Sequence, residues 1–232
     1  LYDHNLYYKP PLWLRNGHVQ SVWPTLFRKV SLTEPVRESL PTEDDDELHL
    51  DWYRQGNDRL AVLSHGLEGH SQRPYMQGLA RALLNDGWDV LAWNFRSCGG
   101  VMNHQPRFYH SGATGDLDRV VQHGLAQGYG KVMLSGFSMG GNLTLLYLGQ
   151  KSEQVDSRIC GAITYSVPCD LAGSADTLAR PSRPSRRREA KGRELSHFSG
   201  RARPSRPSRP SWGRIWGRHT LPGWRLPFYS LC

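Results

Sequence analysis

Gly136-Phe137-Ser138-Met139-Gly140 is a G-x-S-x-G pentapeptide. A serine hydroxyl becomes a nucleophile toward a carbonyl carbon when a base accepts its proton. The glycines supply the geometry. In a strand-to-helix elbow the serine occupies a strained turn, and a side chain two residues to either side would strike neighbouring backbone. Ser138 is therefore the expected nucleophile, with Gly136 and Gly140 as the residues that let the turn close. A second group, His65-Gly66-Leu67-Glu68-Gly69, follows an apolar run, where a backbone N–H can stabilise the negative oxygen formed in the attack. The expected donors are the N–H groups of Leu67 and Met139. His65 and Gly66 are expected to shape the strand end rather than to move protons.

The serine also needs a base, and the base an acid that orients it. In proteins built on this elbow the chain order is serine, then Asp or Glu, then His. After Ser138 the histidines are His197 and His219, neither of which follows a strand-like run, and the acids are Asp156, Asp170, Asp176, Glu189 and Glu194. Order alone offers Asp170 as acid and His219 as base, with a loop or capping role read ahead of the catalytic one for Asp170. Arg96, Arg107, Tyr109 and His110 read as loop ties ahead of pocket lining, and Asp116 as a charge at a helix N-terminus.

The elements that must position these groups are legible as patterns. Leu60–His65, Asp89–Asn94, Lys131–Gly136 and Gly161–Ser166 are short apolar runs ending at turn signals, as buried strands do. Tyr75–Asp86 and Asp116–Gln127 carry apolar residues at helical spacing, with Gly87 stopping the first and Thr114 expected to cap the second. Asn142–Leu148 reads as a third helix. The alternation predicts a parallel sheet with helices on both faces. Upstream, the acidic turn Glu43–Glu47 and the alternating His49–Tyr53 predict an antiparallel hairpin with a half-exposed strand. The segment from Pro10 to His18 is rich in turn formers and predicts no regular element.

Charge divides the chain. Of 29 Lys and Arg and 21 Asp and Glu, residues 1–179 hold 15 and 19, leaving 14 and 2 for residues 180–232. The net +8 is thus a property of the last fifty residues, and a uniformly basic, nucleic-acid-covering surface is excluded for the rest. Arg-Pro-Ser recurs five times between 180 and 211, without apolar periodicity, and predicts a disordered basic tail. The domain reading is 1–181 for a partial catalytic domain and 182–232 for the tail. The sheet is expected to be truncated after the strand near 161–166, the remainder deriving from a shifted frame or retained intron. Four cysteines without a CxxC pair point to reduced thiols. No apolar stretch approaches the length of a membrane span, and no signal segment opens the sequence, so a cytoplasmic protein is expected. Residue 1 is leucine, which leaves an upstream anchor open.

Taken with Asn94-Phe95-Arg96-Ser97-Cys98-Gly99, Arg107-Phe108-Tyr109-His110-Ser111-Gly112, Asn16-Gly17-His18-Val19-Gln20 and Ser166-Val167-Pro168-Cys169-Asp170-Leu171, the two motifs make the chain resemble the YheT-like α/β-hydrolases over about residues 10–181. That branch includes the abhydrolase-domain proteins one and three. The resemblance implies an α/β-hydrolase fold and hydrolysis of carboxylic esters of small molecules or lipids, with no metal and no organic cofactor. Turnover is expected to be impaired, because His and acid are not identifiable by pattern. The alternative is a non-catalytic hydrolase-like fragment or binding module, whose basic tail meets nucleic acid or anionic membrane by charge.

Overall fold

The computed structural model of the protein describes residues 10–179 and 228–231. A 3-10 turn at Leu12–Leu14 leads into α1 (Gly17–Phe27), then β1 (Val36–Pro41), β2 (Glu47–Tyr53), β3 (Arg59–Ser64), α2 (Pro74–Asn85), β4 (Asp89–Trp93), α3 (Thr114–Ala126), β5 (Lys131–Phe137), α4 (Met139–Lys151), β6 (Ile159–Tyr165), α5 (Leu171–Ala179) and β7 (Phe228–Leu231). The seven strands form one sheet in the order β1-β2-β4-β3-β5-β6-β7. β1 and β2 form the expected antiparallel hairpin, and β2 pairs antiparallel with β4. From β4 across to β7 every pairing is parallel.

Strand periodicity sorts the core into two layers. Leu60 and Val62 of β3 and Leu91 and Trp93 of β4 face α3 and α4, packing on Leu117, Val121 and Leu143. The intervening Ala61, Leu63, Val90 and Ala92 face α2, packing on Met76, Ala80 and Leu84. Successive strand residues point to opposite faces, so a strand covered on both sides must be apolar throughout. The apolar runs read from the sequence are strands for that reason.

Three readings need correction. β2 is not half-exposed: it lies inside the sheet, and Asp51 is fully buried, held by Arg37 Nε at 2.7 Å and Gln72 Nε2 at 2.8 Å and by the Ser71 hydroxyl. Alternation on that strand separates an apolar face from a hydrogen-bonded one, not inside from outside. Thr114 does not cap α3. It is the first helical residue, Ala113 holds the cap position without a side-chain bond, and the Thr114 hydroxyl donates to Gln150 Oε1 at 2.7 Å. Pro10 to His18 is not irregular, since the 3-10 turn lies there and the Asn16 side chain caps α1 by accepting from the His18 N–H at 2.9 Å.

The chain divides into two compact units, residues 1–169 with 226–232, and residues 170–225. The sequence boundary at 181 falls inside the second. β7 lies in the stretch where glycine and proline had masked any pattern. Among the described residues no helix is long and apolar enough to cross a membrane.

Candidate active site

Ser138 (φ 51°) and Ser166 (φ 52°), the residues directly after β5 and β6, have left-handed backbone, as do Glu68 (φ 55°) and Ser97 (φ 61°) four residues beyond β3 and β4. Such residues cost energy and stop a strand abruptly. At the end of β5 the stop is Ser138, with ψ −114°, and α4 begins at the next residue. Its N–H donates to the Tyr165 carbonyl at 2.8 Å, and its carbonyl accepts the Asn142 N–H at 2.9 Å. Both backbone groups are therefore spent on holding the turn. The side chain is not: although Ser138 occupies the N-cap position, its hydroxyl makes no capping bond.

The elbow closes by backbone-on-backbone contact. A Cβ on Gly136 would land on the carbonyl of Gly140, and one on Gly140 would land on the carbonyl of His65 and 2.6 Å from that of Ser64. Behind it, Phe137 stacks on Tyr165 at 4.7 Å and meets Tyr75 edge-on at 4.8 Å.

The segment after β3 lies against this turn. The Cβ position of Gly66 is 3.5 Å from Ser138 Cβ and 3.5 Å from the Phe137 carbonyl, ordinary van der Waals contact, so the strand end packs directly beside the serine. The Gly66 N–H donates to the Tyr75 hydroxyl at 3.1 Å, and the Glu68 N–H to the Tyr109 hydroxyl at 3.2 Å. Leu67, between them, donates to no acceptor among the described residues, and neither does Met139, whose N–H opens α4. First-turn helix N–H groups have no intrahelical partner and favour negative charge. The structure thus brings Ser138 and the Gly66-Leu67 segment together. Tyr109 is a loop tie, as read from the sequence, whereas the support given by Tyr75 was not read there, since no spacing marks it.

His65 is fully buried against Phe95, ring centroids 4.1 Å apart. Its Nε2 accepts the Phe95 N–H at 3.1 Å and its Nδ1–H donates to the Gly66 carbonyl at 2.8 Å. Both nitrogens are occupied, and burial pushes its pKa down to about 4. This neutral ring pins the strand end and offers no free site to a proton. A stability effect follows. An unfolded-state histidine binds a proton near pH 6.5, so native His65 contributes stability that is complete above that pH and lost as pH falls toward 4. The expected loss is about 3 kcal/mol. Urea titrations from pH 7.5 to 4 should show it, and His65→Gln should flatten the slope by about one proton; an unchanged slope would mean that His65 titrates normally.

The other candidates stand apart. Arg96, three residues beyond β4, is buried and bonds Asp116 through Nε (2.8 Å) and Nη2 (2.9 Å), Asp46 through Nη1 (3.0 Å), and Asp44 through Nη2 (3.1 Å). Asp116 is the first-turn charge of α3 and the anchor of that arginine. Arg107 reaches the same Asp44 at 3.4 Å, and His110 Nδ1 accepts the Gly112 N–H at 3.1 Å. In the second unit, Asp170 caps α5, its carboxylate accepting the Gly173 N–H at 2.9 Å. His219 and His197 lie outside the described residues. Among those described, no histidine is hydrogen-bonded to Ser138, and no group of three His, Cys, Asp or Glu side chains could hold a metal ion.

Residues 55–198 match the family described as serine aminopeptidase, S33. The YheT protein of Escherichia coli (strain K12) is 34% identical over 161 residues, 66% of this chain and 46% of that protein. Phospholipase ABHD3 of Mus musculus is 29% identical over 188 residues, 75% of this chain and 44% of that one. The chain therefore spans a little under half the length of these relatives. The Pyrococcus furiosus esterase Pf2001 superposes with a TM-score of 0.51 at 24% identity, over 66% of this chain and 62% of that chain, a likeness of fold. With the elbow, the parallel sheet and these matches together, the chain belongs to the serine aminopeptidase S33 family, as a YheT-like α/β-hydrolase of the esterase-like kind.

Proposed function

We propose that the chain carries the acyl-transfer half of a carboxylic ester hydrolase site, with Ser138 as nucleophile and the N–H groups of Leu67 and Met139 as the oxyanion hole. The observation that supports it is the hydroxyl of Ser138, held on a left-handed backbone, uncommitted to capping, beside two N–H groups that have no acceptor among the described residues. Ser138 Oγ adds to the ester carbonyl carbon, and the carbonyl electron pair moves onto oxygen, where the two N–H groups receive it. Collapse expels the alcohol oxygen with a proton and leaves an acyl-serine for water to hydrolyse. Phospholipase ABHD3, named above, and the monoacylglycerol lipase ABHD2 of Danio rerio, 25% identical over 167 residues, favour a lipid or small-molecule ester.

Proton transfer is the slow part. Asp170 and His219 are the acid and base that chain order alone offers, and His219 would have to come from residues 182–232, the basic tail. Ser138 has no histidine partner among the described residues, so turnover falls to what the oxyanion hole and binding supply, roughly 10³–10⁴-fold over water. A fluorophosphonate probe is expected to label the chain slowly and only at Ser138, and Ser138→Ala should remove the label while barely changing residual p-nitrophenyl ester turnover. Labelling that survives Ser138→Ala, or none on folded protein, would overturn the assignment.

A further inference from the structure

The apolar stripe of α1 is left facing solvent. Val19, Val22, Trp23, Leu26 and Phe27 recur at the three-and-four spacing of a single helix face, the pattern by which a surface helix buries itself in a core. Here Trp23 is 42% exposed, Val22 53%, Phe27 58% and Leu26 66%. The preceding turn adds Leu12 at 76% and Trp13 at 55%. These are not scattered residues: Trp13 meets Trp23 edge-on at 4.8 Å, and Trp23 meets Phe27 at 4.2 Å. A contiguous aromatic patch of this kind marks a binding surface.

Its charge says what binds. Between residues 4 and 33 the chain has no Asp or Glu, and four cations, Lys9, Arg15, Arg28 and Lys29. Arg15, Arg28 and Lys29 are exposed, and none makes an ion pair among the described residues. Tryptophan and phenylalanine on one face, flanked by cations without an ion-pair partner among the described residues and by no carboxylate between residues 4 and 33, is the composition of a helix lying in the plane of an anionic lipid surface. A second copy of the chain suits it less, because two-fold packing of this face would set its cations against one another.

We propose that α1 and the Leu12–Leu14 turn dock the protein on an anionic phospholipid bilayer, with the Trp13, Trp23 and Phe27 rings at the headgroup boundary and Arg15, Arg28 and Lys29 against lipid phosphates. Docking brings a cavity of about 390 Å³ to the membrane. Pro24 of α1 and Arg28 just after it form one side of that cavity, and Leu67, Glu68, Arg73 and Tyr75 the other, so its far wall includes the residue whose N–H is assigned above to the oxyanion hole. A lipid ester leaving the bilayer through this cavity would arrive at Leu67, next in the chain to Gly66, which lies against Ser138. Only this last step rests on the function proposed above.

Co-sedimentation of the full chain with vesicles of phosphatidylcholine, alone or mixed with phosphatidylserine, tests the docking. A tail with 14 Lys and Arg against 2 Glu would itself attract anionic vesicles, so the decisive variants leave it intact. Leu26→Glu combined with Phe27→Glu should lower the partition coefficient on mixed vesicles tenfold or more, and should remove the binding that survives high salt. Both side chains face solvent, so circular dichroism should stay unchanged. Arg15→Gln with Lys29→Gln should lose roughly fivefold per charge on mixed vesicles and nothing on phosphatidylcholine alone. Wild-type binding by the double glutamate variant would assign the membrane contact to the tail and overturn the proposal, as would a dimer that this variant dissociates with vesicle binding unaffected. Fluorophosphonate labelling of the same samples separates the two readings. Labelled protein that ignores vesicles overturns the docking alone, and docked protein that never labels overturns the Ser138 assignment alone.

Discussion

Gly140→Ala is expected to abolish folding of the first unit. The added methyl would fall on the His65 carbonyl and within 2.6 Å of the Ser64 carbonyl, and neither can retreat, because both belong to the strand end at the middle of the sheet. Overlap with backbone in a close-packed interior has no flexible side chain to absorb it, and the loss should exceed about 4 kcal/mol. Gly136→Ala, aimed at the carbonyl of Gly140, should behave the same way. Gly149 supplies the control on the same helix α4: nothing lies within 4 Å of its Cβ position. Gly149→Ala should stabilise by roughly 0.5–1 kcal/mol through helix propensity. Soluble yield and urea midpoints of the three variants read the effect directly. A Gly140→Ala protein with a near wild-type midpoint would show that the elbow has slack, and would weaken the argument that its geometry forces the serine outward.

The second large effect is expected at Arg96. Its guanidinium serves Asp46 and Asp116, both buried, and the partly exposed Asp44. Arg96→Met fills the space but strands two buried carboxylates. Breaking a buried ion pair from one side costs about 3–5 kcal/mol, or ~10 °C in Tm for a unit of this size. Arg96→Lys keeps the charge but cannot fork onto three acids at once, and should fall between. The pH dependence identifies the cause. The Thr42 hydroxyl and Arg96 hold the Asp44 carboxyl down at about 2. Without the arginine Asp44 takes up its proton at higher pH, so the gap between wild type and Arg96→Met should narrow as pH falls below about 4. A gap independent of pH would assign the loss to packing instead. Asn103 and His104 also bind Asp46, so the same variant should loosen the loop that carries Tyr109 to the Glu68 N–H, with faster proteolysis there.

How much of this is legible in the sequence depends on how far apart the cooperating residues lie. The strands β3 to β6 announce themselves because burial on both faces leaves few polar positions in the run, and the elbow because its two glycines sit two residues to either side of the serine. Helix α1 has a full apolar stripe at 19, 22, 23, 26 and 27, yet Gly17 and an interior Pro24 mask it, and its exposed face gives no tertiary reason to look for one. The Arg96 web is invisible for another reason. Its partners sit 52, 50 and 20 residues away, two of them in an acidic run that reads as a solvated turn. Asp51 shows the same limit, since only the sheet order makes a strand at 47–53 internal. The base is a different matter: no strand pattern precedes His219, and the described residues do not include it.

The strand order also sets the sequence of assembly as the chain leaves the ribosome. β3, the earliest of the parallel strands, is the middle of the sheet, and β4 closes its first side against β2. By Trp93 the ribbon β1-β2-β4-β3 can be complete, with Ser64 and His65 already fixed at its rim and one edge of β3 open. β5 then adds to a finished surface, and its glycines settle onto carbonyls that are in place before them. From there growth runs in one direction only. Each strand that arrives is an unpaired edge until the next one is made, first β5, then β6. The interval between synthesis of β6 and arrival of a strand beside it is therefore the window in which a nascent chain is open to edge-to-edge association with another.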